Sequence, residues 1–418
     1  MSDPIRLLTF STLFPNEVRH NHGIFVENRL RHLLGSGEAT SLVLAPVPWF
    51  PSRHERFGDW ALNARVPAHE VRHGIEILHP RFPVIPKVGM SAALWLLYRA
   101  MLPVVRRLLT EGRRFDVIDA HCVYPDGVAA AWIGAAVGLP VVITARGTDV
   151  NLIPKYPWPR RMIQDAIRKA DALVAVSAAL KQVLVDLGAP KEKVTVLRNG
   201  VETNVFRPPE NRDGLRASLN LSRPTLISVG GLIERKGHHR IIEAMRQLPE
   251  FDLLIAGEGP ERMRLEALIR QLRLAERVRL LGSRPHRELP ALYGAADASA
   301  LASSREGWAN VLLESMACGT PVVAANIWGN PEVVREPAAG LIYEPNTPDG
   351  IAEAVHRLFV ALPDRAATRA YAAPFSWDAT TAGQLALFRR VVDVAGASRP
   401  GTKHGQKASR KRLRVVAQ

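Results

Sequence analysis

Two doubly wound α/β domains of similar size, facing each other across a cleft, are predicted by three observations. The chain has 418 residues, more than a single hydrophobic core usually organises. Short β-rich runs alternate with longer helical ones through both halves, and the strands are almost continuously apolar, the pattern of a parallel sheet covered on both faces. The alternation breaks once, from Asn199 onward, in the polar, turn-rich stretch NGVETNVFRPPENRDG, which reads as an interdomain linker. The expected organisation is a Rossmann-like domain over 1–203, a second over 204–375, a closing amphipathic helix over 376–395 and a basic, disordered tail over 396–418.

In the first half, IRLLTF reads as the opening strand, followed by a loop containing N-H-G and the helix GIFVENRLRHLL. TSLVLAPV and GIEILHP supply further strands, and a helix is expected around residues 90 to 111. FDVIDAH, LPVVITARG and ALVAVS follow as strands, with GVAAAWIGAAVG and MIQDAIRKA as helices, before KVTVLRNG runs into the linker. The second half restarts with PTLISVGG and HRIIEAMRQL, then FDLLIAGEG and RMRLEALIRQL. RVRLLG, ASALAS, PVVAAN and GLIYEP complete its strands, and WDATTAGQLALFRRVVDVA reads as the last helix. No solenoid repeat is visible.

Composition narrows the setting. The start, MSDPIRLLTF, has an acid and no basic n-region before an apolar stretch, so it does not read as a secretory signal. Val88 to Val105 is interrupted by Arg99 and Pro103 and its uninterrupted run is too short to span a bilayer, so a buried or interfacial helix is expected. Cys122 and Cys318 form neither a C-x-x-C pair nor a disulfide framework, and a reducing, cytoplasmic setting is the simplest expectation. The net charge is +15, and the tail from Arg399 to Gln418 holds seven Lys or Arg and no acid. Such a run is a solvated, mobile end or a contact for an anionic membrane surface, here the cytoplasmic face of the inner membrane. Nucleic-acid binding is not expected, because the charge is not interleaved with stacking aromatics.

Paired doubly wound sheets bind ligands at the carboxyl ends of their strands, so the chemistry belongs in strand-to-helix loops. The strongest window is EGWANVLLESMACG. Glu306 follows a strand, a helix begins near Asn310, and the backbone N–H groups of Gly307, Trp308, Ala309, Asn310 and Val311 offer a diphosphate the positive end of that helix. Glu306 would accept hydrogen bonds from sugar hydroxyls and Glu314, about one turn into the helix, from the ribose. Taken alone, the two acids read equally as a charge complementing the helix dipole and a helix-surface acid. A second loop, SVGGLIERKG, brings Gly230 and Gly231 for close backbone approach and Lys236, with Arg235 beside it, to neutralise a phosphate, or else is an exposed turn. A third, AGEGPE, holds Gly257 and Gly259 and is weak by itself. In the first half, His121 ends a strand in DAHCVYPDG, and TARGTD ends the next.

Together these windows resemble glycosyltransferase family 4, the retaining family of GT-B fold, over roughly residues 5 to 395. The family's E-x7-E motif matches Glu306 to Glu314, continued by SMACGTPVV, and the P-D-G stretch after His121, Asn199-Gly200-Val201, the Gly257-Glu-Gly-Pro loop and Gly329-Asn-Pro-Glu332 fall in the family's order. The resemblance implies that Glu306 contacts the donor sugar, Glu314 the nucleotide ribose, Lys236 the diphosphate, and that His121 lies beside the transferred sugar. It matches Gly23 to a glycine-rich loop that approaches the donor from the acceptor-binding domain. It further implies transfer of a hexosyl or related group from a nucleotide diphosphate-sugar to a glycan or lipid-linked acceptor, with retention, no metal and no cofactor, in cell-surface polysaccharide or glycolipid synthesis. Two positions depart from the family: Gly231 stands where relatives carry a phosphate-binding arginine, and Arg146 where many have histidine. Arg146 then serves the acceptor or supplies the missing phosphate charge. A sugar-nucleotide epimerase of the same fold and a non-catalytic sugar-nucleotide or nucleic-acid-binding protein are the alternatives.

Overall fold

The structure, a computed structural model, describes residues 3–84 and 90–398. The first half builds ten strands: β1 (Ile5–Phe10), β2 (Ala39–Leu44), β3 (Val47–Pro48), β4 (His69–Arg72), β5 (Ile75–Leu78), β6 (Arg81–Phe82), β7 (Val117–His121), β8 (Val141–Ala145), β9 (Ala172–Ala175) and β10 (Val194–Val196). Eight of them form one sheet in the order β10-β9-β8-β7-β1-β2-β5-β4, parallel except for β4, which runs antiparallel to β5. The second half adds β11 (Thr225–Val229), β12 (Asp252–Ala256), β13 (Val278–Gly282), β14 (Ala298–Leu301), β15 (Val322–Ala325) and β16 (Gly340–Tyr343), a parallel sheet in the order β13-β12-β11-β14-β15-β16. The strand order of the first sheet reverses between β1 and β7, and that of the second between β11 and β14. Ligands sit outside the carboxyl ends of strands at such reversals, and in both sheets these ends face the same interdomain cleft.

The apolar strands are buried on both faces, as their composition predicts. In β7 and β8, Ile118, Ala120 and Ile143 join Leu97, Met101 and Ile133 on one side, while Val117 and Val142 join Leu30, Leu33 and Phe388 on the other. Alternate residues of one strand thus feed two cores. β4 is a strand that the sequence pattern did not reveal: HEVR has a single apolar residue, Val71, which is exposed at the sheet edge while Glu70 is buried.

The last helix, Trp377–Ser398, returns to the first sheet rather than staying with the second, packing Leu385, Phe388 and Val391 beside the helix Ile24–Gly35. The chain therefore crosses between the lobes twice, and the crossings lie side by side, with Val201 N–H donating to the Phe375 carbonyl at 2.8 Å. This helix includes Gly396 to Ser398, which the sequence pattern assigned to the tail; no proline interrupts it before Pro400. The basic stretch from Arg399 to Gln418 lies outside the described residues.

The helix expected around residue 90 runs Met90–Thr110, while Val88 and Gly89 lie outside the described residues. Leu94, Leu97, Met101, Val105 and Leu108 bury one face at helical spacing, and Trp95, Arg99, Arg106 and Arg107 are exposed on the other. Among the described residues, no helix is long and apolar enough to cross a membrane.

Candidate active site

A cleft of about 820 Å³ lies between the lobes. Its second-lobe wall is built from the loops after β11 and β14. Gly237 has φ 71° and caps the first of these loops; a Cβ there would overlap the Ala302 carbonyl, so glycine lets the loop close onto the end of β14. Lys236 Nζ donates to Glu306 Oε1 at 2.6 Å, and Arg235 stands 3.6 Å from Glu306 Oε2. Ser303 Oγ adds a 2.7 Å hydrogen bond to the same carboxylate. Burial pushes the Glu306 carboxyl up, but the two cations and these hydrogen bonds outweigh it and hold the pKa below the ordinary value. Glu306 is thus an anion that fixes both cations.

The helix Asn310–Ala317 follows, its first turn facing the cleft and Glu314 lining it. Glu314 accepts hydrogen bonds from His286 Nε2 at 3.3 Å and Tyr293 Oη at 3.2 Å. Burial lowers the His286 pKa, while the Glu314 hydrogen bond and charge raise it and prevail. Gly257 and Gly259 serve the loops' packing: a Cβ at either would overlap the Gly230 or Leu232 carbonyl. The two loops nest backbone against backbone.

The first-lobe wall differs from expectation at its centre. His121 is 1% exposed and does not line the cleft; Arg146 lies over it. Arg146 Nη2 donates to His121 Nδ1 at 2.5 Å, which requires the imidazole proton to reside on Nε2, 3.2 Å from Asp119 Oδ2. Burial lowers the His121 pKa more than Asp119 raises it, so the ring is neutral near neutral pH. Arg146 Nη1 donates to Asn199 Oδ1 at 3.3 Å, and Asn199 Nδ2 donates to Asn310 Oδ1 at 3.2 Å. A polar chain thus runs from His121 in the first lobe to the first residue of the second-lobe helix. Beneath it, Arg29 donates to Asn199, to the Leu197 carbonyl and to Gln384 of the last helix. Burial brings the Arg29 pKa down to about 9.

The lobes touch at this point. A Cβ on Gly307 would overlap the Arg146 carbonyl oxygen, and one on Gly329 would press on the Gly307 carbonyl and Ser177. Glu332 spans the same junction, accepting from the N–H groups of Ala178 and Ala179 at 3.0 Å each and from Arg198 at 2.6 Å. Its carboxylate caps a helix of the other lobe.

Of the residues singled out in the sequence, Gly230, Gly231, Arg235, Lys236, Gly257, Glu306 to Val311 and Glu314 line the cleft together. Gly259 and His121 lie behind its walls. Gly23 is also off the cleft surface, where φ 74° lets it begin the helix whose Ile24 and Phe25 do line it. Arg284, His286, Arg305 and Asn151 also line the cleft and carried no sequence signal beyond proximity to strand ends. Among the described residues, no group of three His, Cys, Asp or Glu is arranged to hold a metal ion.

The family model described as Glycosyltransferase Family 4 matches residues 61–205, and that described as Glycosyl transferases group 1 matches 212–373. D-inositol 3-phosphate glycosyltransferases of Mycobacterium tuberculosis and Mycobacterium bovis are 33% identical over 252 residues, 56% of this chain and 52% of theirs. The chain thus spans about half the length of the curated relatives it matches. Among solved structures, sucrose-phosphate synthase from Thermosynechococcus elongatus superposes with TM-score 0.74 at 20% identity, covering 94% of this chain and 100% of that one. Anabaena HepE in complex with UDP and glucose gives 0.70 at 20%, with 93% and 100% covered. The catalytic domain of starch synthase IV from Arabidopsis thaliana, bound to ADP and acarbose, gives 0.70 at 17%, with 94% and 100% covered. At these identities the structural likeness shows the fold.

Proposed function

This chain belongs to glycosyltransferase family 4 and has the GT-B fold, and from that premise we propose that it transfers a sugar from a nucleotide diphosphate donor to a hydroxyl of a glycan or lipid-linked acceptor, with retention. The observation that carries the reading is the Lys236–Glu306 pair set against the first turn of the helix Asn310–Ala317. The donor's diphosphate sits at that helix start, its ribose hydroxyls on Glu314, and its sugar hydroxyls on Glu306. That HepE is solved with UDP-glucose and starch synthase IV with ADP supports a donor of this class.

Breaking the anomeric C–O bond leaves its electron pair on the departing diphosphate. Lys236, Arg235 and the helix N–H groups are positioned before the reaction to stabilise that charge, and such preorganisation is the largest lever on a barrier of this kind. The acceptor oxygen forms the new bond on the face the diphosphate leaves, and its proton passes to a diphosphate oxygen. No separate base is required, which suits a His121 buried behind Arg146.

Thermal denaturation with UDP-, GDP- and ADP-sugars tests the donor class. The cognate donor at a hundred times its Kd stabilises the fold by about 2.7 kcal/mol. Lys236→Ala is expected to lower kcat on the order of a hundredfold. No shift and no release of nucleoside diphosphate from any donor overturns the reading, as does unchanged turnover in both Lys236→Ala and Glu314→Ala.

A bilayer-borne acceptor is supported by the outer face of the first lobe, where Trp95 and Trp158 are 51% and 65% exposed with Arg99 and Arg161 stacked on them. Rings with a cation beside them suit the interface of an anionic membrane.

A further inference from the structure

Glu306 accounts for the charge of the cations closest to it. Lys236 and Arg235 both pair with its carboxylate, so the three side chains together carry one net positive charge. Each phosphate of a departing nucleoside diphosphate carries at least one negative charge. Gly231 adds none. Arg284 and Arg305 add charge to the cleft from the second lobe, and a cation from the first lobe near the start of the helix Asn310–Ala317 would hold the diphosphate from the other side.

Arg146 stands there, on the opposite lobe. Its backbone carbonyl abuts Gly307, and its guanidinium reaches Asn310 through Asn199 alone. Among the described residues, no carboxylate lies within ion-pair distance of it. The nearby acids act on it only at longer range: Asp149 accepts from the backbone N–H groups of Val123, Arg146 and Gly147, Asp119 lies against His121, and burial lowers the Arg146 pKa more than the charges of these two acids raise it. The guanidinium rests on two neutral acceptors, His121 Nδ1 and Asn199 Oδ1, with its face on Phe25 and Nε without a partner. A charge held by neutral groups at a cleft wall is stabilised by an arriving anion far more than one already paired.

We propose that Arg146 is a ligand of the donor's β-phosphate, supplied from the acceptor lobe, and that it provides the charge absent at Gly231. His121 and Asn199 are its positioning residues: they aim the guanidinium across the cleft. Donor binding then joins the two lobes through one residue. This inference rests on the donor reading above and is separable from it.

Isothermal titration with UDP, GDP and ADP and with their monophosphates identifies the nucleotide the wild type binds best. For that nucleotide, Arg146→Gln is expected to lower the ratio of diphosphate to monophosphate affinity about tenfold or more, with monophosphate affinity retained. Arg146→Lys recovers part of the ratio, because it keeps the charge without the planar fork. Retained monophosphate binding reports an intact second lobe in each variant. An unchanged ratio in Arg146→Gln overturns the proposal, and so does an equal loss for both nucleotides, which marks a purely architectural role. A wild type that binds none of the six nucleotides overturns the donor reading, and this inference with it.

Discussion

Asp126 lies one layer beneath the cleft, fully buried, with Oδ2 accepting from the Thr12 N–H at 2.8 Å and from Thr12 Oγ1 at 3.2 Å. Its other oxygen has no partner. Burial pushes the carboxyl up to about 7, with the charge of Asp149 adding to it and the Thr12 hydrogen bonds opposing. The sign follows from linkage: a carboxyl whose folded pKa lies above its unfolded value binds its proton more tightly in the native state, so stability falls as pH rises from about 4 to 7. The deficit is complete above that window and amounts to at most about 4 kcal/mol. Asp126→Asn keeps an oxygen for Thr12 and removes the charge. We expect the variant to lose less stability than the wild type between pH 5 and pH 8, and to be the more stable protein at pH 8, in urea denaturation at both values. Identical pH dependence in the two proteins would refute it. Asp119, equally buried, goes the other way: His121 and the two arginines more than offset its burial and hold it low. Residue type and position on a strand end do not distinguish these two aspartates. Burial decides for Asp126, against hydrogen bonds from distant Thr12, whereas for Asp119 the charges of Arg29 and Arg146, brought in from other parts of the chain, help to overcome it.

At the scale of elements, the legible part of the site is the part made locally. Glu306 and Glu314 belong to one loop-helix unit and both line the cleft, an arrangement that the family motif pointed to and that the two acids taken alone left open. Lys236 was legible for a similar reason, ending a loop whose glycines must nest against the next strand's loop. Glu332 was visible only as part of a motif: its carboxylate acts on a helix start in the other lobe, which no local pattern encodes. Gly307 makes the corresponding demand from the cleft side. Any side chain there presses on the Arg146 carbonyl, and overpacking of this kind costs about 1–3 kcal/mol unless the parts move away. The two lobes are the parts free to move. Gly307→Ala is therefore expected to enlarge the radius of gyration in small-angle scattering and to lower kcat/KM about tenfold or more, since about 1.4 kcal/mol on the barrier is a factor of ten. Wild-type compactness together with wild-type kcat/KM would show that the contact does not set the closed arrangement.

Across the whole molecule, the alternation of strand and helix was enough to predict two doubly wound sheets, but not the destination of the last helix. Its amphipathic pattern requires a buried face without saying which lobe provides the partner; that choice is made by Gln384 meeting Arg29 and by Gly383 fitting against Leu197. The outer surface of the first lobe has a similar history. The helices Met90–Thr110, Val128–Val137 and Pro157–Lys169 form one layer, tied together by Tyr98 edge-on to Trp132 at 5.5 Å and by the Trp132 indole donating to Asp165 at 3.0 Å. Trp95 lies one turn before Tyr98 and Trp158 two turns before Asp165, so both exposed rings stand outside this layer near the starts of their helices. Arg106, Arg160 and Arg161 are exposed on the same two helices, while Arg107 pairs with Glu111 and Asp165 with Arg168 and Lys169. Aromatic rings and uncompensated cations on one face give two separable contributions to membrane binding, one from insertion and one from charge. The protein is expected to sediment with phosphatidylglycerol vesicles more than with phosphatidylcholine vesicles. Salt should reduce that preference, because exposed charges are screened. Trp95→Ser with Trp158→Ser should weaken sedimentation at every salt concentration, and should do so equally in a chain ending at Ser398, which lacks the basic tail. If instead the double variant sediments like the wild type while removal of the tail abolishes binding, the face is not the membrane contact and the tail alone holds the protein to lipid.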